Sequence, residues 1–244
     1  MDIKMEYFGL SDIGRVRDIN QDAYRAETDG KHPVFVLCDG MGGHKAGEVA
    51  SAESVIDIAA TLNELMGEDD GNLFVKIVSA MNHANRRVYA KSREDEECRG
   101  MGTTCDVCVV TNDQAYIGHV GDSRIYIYTG KGLYQITKDH SLVEEMIDSG
   151  RITRDEARTH SQKNFITRAL GTQEFIQVDT YLAAFRQGDI ILMCSDGLTN
   201  MVPEIDIAYI LSTNMSLEDM GKRLVELAND SGGSDNITII LIRR

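Results

Sequence analysis

The sequence predicts an α+β fold, a four-layer α-β-β-α sandwich in which two antiparallel sheets pack between two helical hairpins. Two observations favour this class: helical segments come in pairs, and strands come in runs instead of alternating with helices. The helical pairs fall at 46–93 and 203–230. A third observation is the apolar run at 34–38, which is typical of a fully buried strand.

Apolar residues at helical spacing predict the two helical pairs. The first pair consists of helices at 46–66 and 72–93 with a break between them, which indicates an antiparallel hairpin. Helices at about 203–213 and 216–230 form the second pair. The predicted buried stripes carry Val49, Ala52, Ile56 and Ala59 in the first helix, Phe74, Ile77, Met81, Ala84 and Val88 in the second, and Leu217, Met220, Leu224 and Leu227 in the last.

Short strands separated by turn signals fill the middle of the chain. The segment from 104 to 136 predicts an antiparallel meander of four strands, at 104–111, 115–120, 124–129 and 133–136. Further strands are expected at 176–182, 189–194 and 236–242. Residues 141–167 form a polar, partly helical, flap-like insertion, which Ser141 and Glu144 would open as a capping box. We expect one domain over 1–244.

Composition and charge exclude several classes of protein. The formal net charge of −14 disfavours binding to nucleic acid and to anionic membranes. The N-terminal residues lack the pattern of a secretory signal, and the longest apolar runs are too short to span a bilayer. Five cysteines, an odd number, suggest reduced thiols, so we expect a cytoplasmic protein. Cys105 and Cys108 lie in a strand-like stretch and would point to opposite faces, which argues against zinc or redox use.

Four aspartates fall at predicted strand ends. Asp39 follows the strand at 34–38, Asp196 follows 189–194, Asp122 precedes 124–129 and Asp235 precedes the last strand. Each alone is weak evidence for a site and is better explained by a turn, where Asp-Gly is common. Together they could converge on one rim of the sandwich, because neighbouring antiparallel strands begin and end side by side. Carboxylates so close require a cation between them, and oxygen ligands suit Mg²⁺ or Mn²⁺.

The segment from Asp39 to His44 contains three glycines within four residues. Glycine lets the backbone approach an ion or phosphate closely, although a flexible entry to the following helix explains the same pattern. His44 is an ordinary surface or core histidine, or else a proton donor beside the carboxylates. Arg17 is a surface arginine, or else a group that forks onto a phosphate.

These residues resemble the metal-dependent protein phosphatase family (PPM, type 2C), in particular its compact bacterial members. The resemblance runs nearly from end to end, with the motifs in the family's order. It rests on the segments at 17–22, 39–51, 100–104, 121–124, 138–141, 168–171, 195–198 and 234–236.

The resemblance implies the four-layer sandwich and a two-metal centre at the sheet rim. It implies that Asp39 bridges two Mn²⁺ or Mg²⁺ ions, that the Gly40 carbonyl binds one of them, and that Asp196 and Asp235 bind the other. A bridging hydroxide would hydrolyse phosphoserine and phosphothreonine in proteins. Further implied roles are the holding of metal-bound waters by Asp22, phosphate binding by Arg17, leaving-group protonation by His44 and the binding of a third, weaker ion by Asp122 with Asp196.

The same resemblance implies partners. We expect phosphorylated proteins, the substrates of a cognate serine/threonine kinase or the kinase itself, and a monomer. Two other hypotheses are an inactive relative that serves as a scaffold and a phosphatase dedicated to one phosphorylated regulator. An inactive scaffold would be expected to lose metal-binding aspartates, and all four remain. A dedicated phosphatase would normally carry a sensor or dimerisation domain, for which we see no room.

Overall fold

A computed structural model describes residues 5–42, 46–68 and 71–244, and its strands form two antiparallel sheets. The strands are β1 Glu6–Asp12, β2 Asp22–Glu27, β3 Val34–Met41, β4 Gly102–Thr103, β5 Cys105–Val110, β6 Gln114–Val120, β7 Arg124–Thr129, β8 Gly132–Gln135, β9 Asp179–Ala184, β10 Ile190–Cys194 and β11 Ile237–Arg243. The helices are α1 Ala46–Glu68, α2 Leu73–Glu94, α3 Leu142–Asp148, α4 Arg154–Arg158, α5 Asp196–Thr199, α6 Glu204–Leu211 and α7 Leu217–Asp230.

The two sheets and the long helices make the four predicted layers. Sheet A has the order β1-β11-β10-β7-β8, and sheet B has the order β2-β3-β5-β6-β9 with β4 paired to β3. Helices α1 and α2 cover sheet B, whereas α6 and α7 cover sheet A. The predicted α+β sandwich is therefore confirmed. No helix among the described residues has the length and apolarity that a bilayer crossing requires.

Strand β3 shows how the layers are built. Phe35 and Leu37 point into the apolar layer between the sheets, whereas Val34, Val36 and Cys38 point to the helices α1 and α2. Both faces of the strand are buried because a sheet covered on each side excludes water from every residue. The uninterrupted apolar run at 34–38 therefore predicted this strand correctly.

The buried stripe predicted for α1 was wrong in part, because only Ala59 of its four residues is buried. Ile56 is 55% exposed, and the buried face carries Ala50, Ser54, Ile58 and Leu62 instead. Small residues near the start of α1 allow it to lie close to β3. At Gly47 a side chain would have to lie 2.8 Å from the carbonyl oxygen of Gly40. This close contact determines which face of α1 packs on β3, and the spacing of apolar residues alone cannot predict it.

The predicted four-strand meander was also wrong, because the chain changes sheets within it. Strands β5 and β6 belong to sheet B, whereas β7 and β8 belong to sheet A. The crossing occurs at Gly121–Ser123 and places Asp122 on the rim between the sheets. Strand β9 begins three residues later than predicted, at Asp179.

Two smaller predictions concern the flap segment and the cysteines. The side chain of Ser141 accepts the N–H of Glu144 as expected, but the complete capping box of this segment is formed by Thr153 and Glu156. Cys105 and Cys108 face opposite sides of β5, as predicted.

Candidate metal centre

Five aspartates meet at the rim where the two sheets end. Asp39 lies near the end of β3, and Asp22, the first residue of β2, is its direct partner in the strand register. Asp122, Asp196 and Asp235 reach the same place from sheet A and from the crossing between the sheets. Burial and then the neighbouring carboxylates of the other four aspartates raise the pKa of Asp39 well above its ordinary value. The predicted convergence of carboxylates therefore occurs.

Two threonines and a glycine fix the backbone at Asp39. Its N–H donates to Thr104 Oγ1 at 2.9 Å, and its carbonyl oxygen accepts from Thr104 N at 2.8 Å and Thr103 Oγ1 at 2.9 Å. At the next position, a side chain on Gly40 would lie 2.1 Å from the carbonyl oxygen of Gly47. The tight entry to α1 therefore requires glycine at position 40 and holds Asp39 at the rim.

Asp22 and Asp122 each keep one oxygen unsatisfied. Asp22 Oδ2 accepts a hydrogen bond of 2.7 Å from Ser195 Oγ, which itself accepts the N–H of Thr238. Asp22 Oδ1 and Asp122 Oδ1 are buried and have no hydrogen-bond partner among the described residues. Burial, opposed by the Ser195 bond, raises the pKa of Asp22 to about 7. Orphaned carboxylate oxygens of this kind are the groups that a cation would satisfy.

Asp196 and Asp235 are held by neutral and cationic donors. Asn200 Nδ2 donates to Asp196 Oδ2 at 2.8 Å, and Arg17 donates to Asp235 Oδ2 at 2.8 Å. The other oxygen of Asp235 accepts the N–H of Asn236 at 2.9 Å. Burial and the carboxylate of Asp235 raise the pKa of Asp196 to about 6.

The donor set fits divalent cations that prefer oxygen. It combines several carboxylates, of which two keep an orphaned oxygen. As the described side chains stand, no three of their acidic, histidine or cysteine groups form a finished metal cluster. Arg17 occupies an oxygen of Asp235 instead, and its pKa is raised by that bond. The predicted phosphate-binding arginine thus lies at the rim, whereas His44 falls outside the described residues.

The chain was then compared with known proteins. A model of the family described as protein phosphatase 2C matches residues 14–241. The chain belongs to this family. The predicted family and the predicted class of enzyme, a metal-dependent protein phosphatase, are thereby confirmed.

Bacterial members of the family are similar over almost the whole chain. The protein phosphatase PhpP of Streptococcus pneumoniae is 37% identical over 239 residues, which cover 98% of this chain and 97% of PhpP. A serine/threonine phosphatase of S. agalactiae is 37% identical with a TM-score of 0.90, over 98% of this chain and 99% of that structure. The catalytic domain of PstP, solved with two manganese ions, is 35% identical with a TM-score of 0.86, over 98% of this chain and 97% of that domain.

One further ion pair at the phosphatase rim was not predicted. Arg124 forks onto Asp139, with Nε 2.9 Å from Oδ1 and NH2 2.7 Å from Oδ2. The sequence gives no local signal for it, because Asp139 lies fifteen residues from Arg124 in the chain.

Two histidines, His119 and His140, were also missed by the sequence analysis; their rings pack on each other near Asp139. His119 and Asp106 are both fully buried, and His119 Nδ1 lies 2.6 Å from Asp106 Oδ1. The ring of His140 packs on His119 with ring centroids 4.7 Å apart. Only the family motif at 138–141 marked this part of the chain in advance.

Proposed function

We propose that this phosphatase hydrolyses phosphoserine and phosphothreonine in proteins at the aspartate rim. The observation that carries the proposal is the set of mutually repelling carboxylates with two orphaned buried oxygens. Asp39, Asp196, Asp235 and the Gly40 carbonyl would hold two Mn²⁺ or Mg²⁺ ions. When bound, such a pair supplies a water molecule of lowered pKa, the bridging hydroxide, and neutralises charge on the phosphoryl group.

The other residues of the rim are proposed to have the roles that the family resemblance implies, and their positions support these roles. Asp22 is fixed by Ser195 and would accept hydrogen bonds from water beside the ions. Arg17 is half exposed and long enough to fork onto two phosphate oxygens, which suits recognition of a phosphoryl group. Asp122, with Asp196, would hold a third and weaker ion, because two carboxylates leave most of a coordination shell to water.

His44 is proposed as the acid that protonates the leaving alkoxide. A serine or threonine alkoxide is a poor leaving group, and a positioned acid typically contributes ~10²–10⁴-fold. We expect His44→Gln to slow phosphopeptides far more than an aryl phosphate, whose leaving group needs no proton. Equal losses of activity on both substrates would show that His44 supports the folded structure and does not protonate the leaving group.

The proposed substrates are phosphoproteins made by a serine/threonine kinase, including the kinase itself. Relatives named as serine/threonine phosphatases support this substrate class. We propose a single domain that acts as a monomer in the cytoplasm, with residues 141–167 as a flap that contributes to substrate choice. The ends of the flap lie close together, since Ser141 pairs with Ile166 as an isolated bridge.

A metal-dependent assay on phosphothreonine and phosphotyrosine peptides tests the proposal. We expect turnover of the phosphothreonine peptide with Mn²⁺ and its loss with a chelator. The variant Asp113→Asn is a control for aspartate-to-asparagine changes at the rim. Asp113 is an exposed carboxylate in the turn between β5 and β6, at the end of the sheet opposite the rim. Peptide binding without turnover in wild type would favour the scaffold hypothesis, and a preference for phosphotyrosine would contradict the substrate class.

A further inference from the structure

The residue that precedes Asp122 is held at both of its backbone groups by one residue of another loop, His140. The N–H of Gly121 donates to His140 Nδ1 at 3.0 Å, and the carbonyl oxygen of Gly121 accepts the N–H of His140 at 2.7 Å. Gly121 has a φ of +121°, and a side chain there would lie 2.6 Å from Thr104. Both backbone groups of this glycine therefore depend on His140, and no other residue fits in its place.

The hydrogen bonds define which nitrogen of His140 carries the proton. Because Nδ1 accepts from Gly121, it must present a lone pair, and the proton of a neutral ring lies on Nε2. Nε2 lies 3.2 Å from Asp179 Oδ2, which can accept that proton's hydrogen bond. Arg168 NH1 lies closer to Nε2, at 2.9 Å, but its two hydrogens have acceptors of their own, Asp179 Oδ1 at 2.7 Å and the Gln177 carbonyl oxygen at 3.2 Å, so this contact does not require a lone pair on Nε2.

The surroundings keep this ring neutral. Burial, and then the neighbouring His119, lower the pKa of His140 to about 4. A protonated ring would place a hydrogen on Nδ1, opposite the N–H of Gly121, and that contact would be repulsive.

The same histidine also joins the two ends of the flap. Its carbonyl oxygen accepts the N–H of Thr167 at 2.8 Å, and the flap begins at the next residue, Ser141. Asp139, the residue before it, is the carboxylate onto which Arg124 forks. Asp122 therefore lies between two residues, Gly121 and Arg124, that are both fastened to the base of the flap.

We infer that His140 is a positioning residue, which holds the Gly121–Asp122 loop in place through the unprotonated Nδ1 of its imidazole and so sets the affinity of the Asp122 ion site. The inference rests on the proposed function, which assigns a weaker ion to Asp122. It makes His140 a determinant of ion affinity although it contacts no proposed ligand.

Two substitutions separate the two ring nitrogens. The amide of His140→Asn can place an oxygen near the position of Nδ1, whereas His140→Gln places its amide near Nε2 and leaves the N–H of Gly121 without an acceptor. Both variants lose the ring that packs on His119, so we expect them to lose similar thermal stability. We expect them to differ in Mn²⁺ binding: both keep two tight equivalents, but the weaker equivalent binds roughly tenfold less tightly in His140→Gln only.

The experiment is calorimetric titration of Mn²⁺ into the full chain, with amide hydrogen exchange measured at Gly121. We expect faster exchange at Gly121 in the Gln variant than in the Asn variant, and ¹⁵N shifts of the wild-type ring that show a proton on Nε2. Equal ion affinities and equal exchange in both variants would overturn the inference. A wild-type protein that turns over phosphopeptide with only two Mn²⁺ equivalents would instead refute the role of Asp122, and the inferred effect on ion affinity with it.

Discussion

Asp22 and Asp39 lie directly opposite each other on the neighbouring strands β2 and β3. Both are half-buried among further carboxylates, and repulsion from Asp22 contributes to the raised pKa of Asp39. The rim without ions therefore places like charges side by side in a site of low polarity, which destabilises the folded state.

Asp39→Asn is expected to abolish turnover and yet stabilise the metal-free protein. Removing one charge relieves repulsion, so we expect Tm in the presence of a chelator to rise by roughly 2–4 °C. With Mn²⁺ the wild type should have the higher Tm, because it gains binding energy that the variant lacks. Thermal melts with chelator and with Mn²⁺ measure both effects. A variant with a tenfold or smaller loss of activity would contradict a bridging role for Asp39.

Asp122→Ala is expected to remove the weaker ion and leave the fold intact. Asp122 Oδ1 has no hydrogen-bond partner among the described residues, so its loss costs the folded state little. Turnover of phosphopeptides should fall more than the roughly fivefold effect that a lost surface ion pair could cause. Calorimetry should show two tight Mn²⁺ sites in both proteins. If Asp122→Ala turns over phosphopeptides as fast as the wild type at saturating Mn²⁺, Asp122 is a turn residue without a catalytic role.

Replacing residues 143–164 by a short Gly/Ser linker tests the flap. The linker can close because Leu142 N and the Phe165 carbonyl oxygen are 2.9 Å apart. We expect turnover of an aryl phosphate to stay within about threefold, whereas kcat/KM for phosphoproteins falls about tenfold or more, because binding contacts and not reacting groups are lost. Inserting the flap of another family member should restore phosphoprotein turnover with altered preference. Equal losses on both substrates would show that the flap serves the chemistry.

The neutral ring of His140 predicts a pH-dependent contribution to stability. Its pKa falls from an ordinary 6.5 to about 4 in the folded protein, so the unfolded chain binds the extra proton between these values. The contribution of His140 is therefore fully present above pH 6.5 and is lost as the pH falls towards 4. Urea unfolding of wild type and His140→Asn should show a stability difference that narrows over this range. A difference that stays constant with pH would contradict a neutral His140.

Strand ends and their acidic residues could be predicted because they depend on local patterns. The apolar run at 34–38 followed by Asp39-Gly40 is a buried strand that ends in a tight turn. The apolar residues predict the buried strand, and Asp-Gly predicts the turn. Partners distant in the chain could not be predicted. Asn236 binds the backbone of Gln21, more than two hundred residues away, and nothing in its own segment indicates that contact. The prediction of which face of α1 is buried failed for a related reason. That face depends on the close backbone contact between Gly40 in β3 and Gly47 in α1.

The bond between Arg17 and Asp235 has a consequence for the order of binding events. A guanidinium nitrogen that donates to Asp235 Oδ2 at 2.8 Å uses a hydrogen that a phosphate oxygen would otherwise accept. In the roles proposed here, a cation held by Asp235 would neutralise that carboxylate, and Arg17 would then be free to bind a phosphate. Ions would then enter before the phosphorylated chain, and we expect steady-state rates measured at varied Mn²⁺ and substrate to follow an ordered scheme with the metal as first reactant.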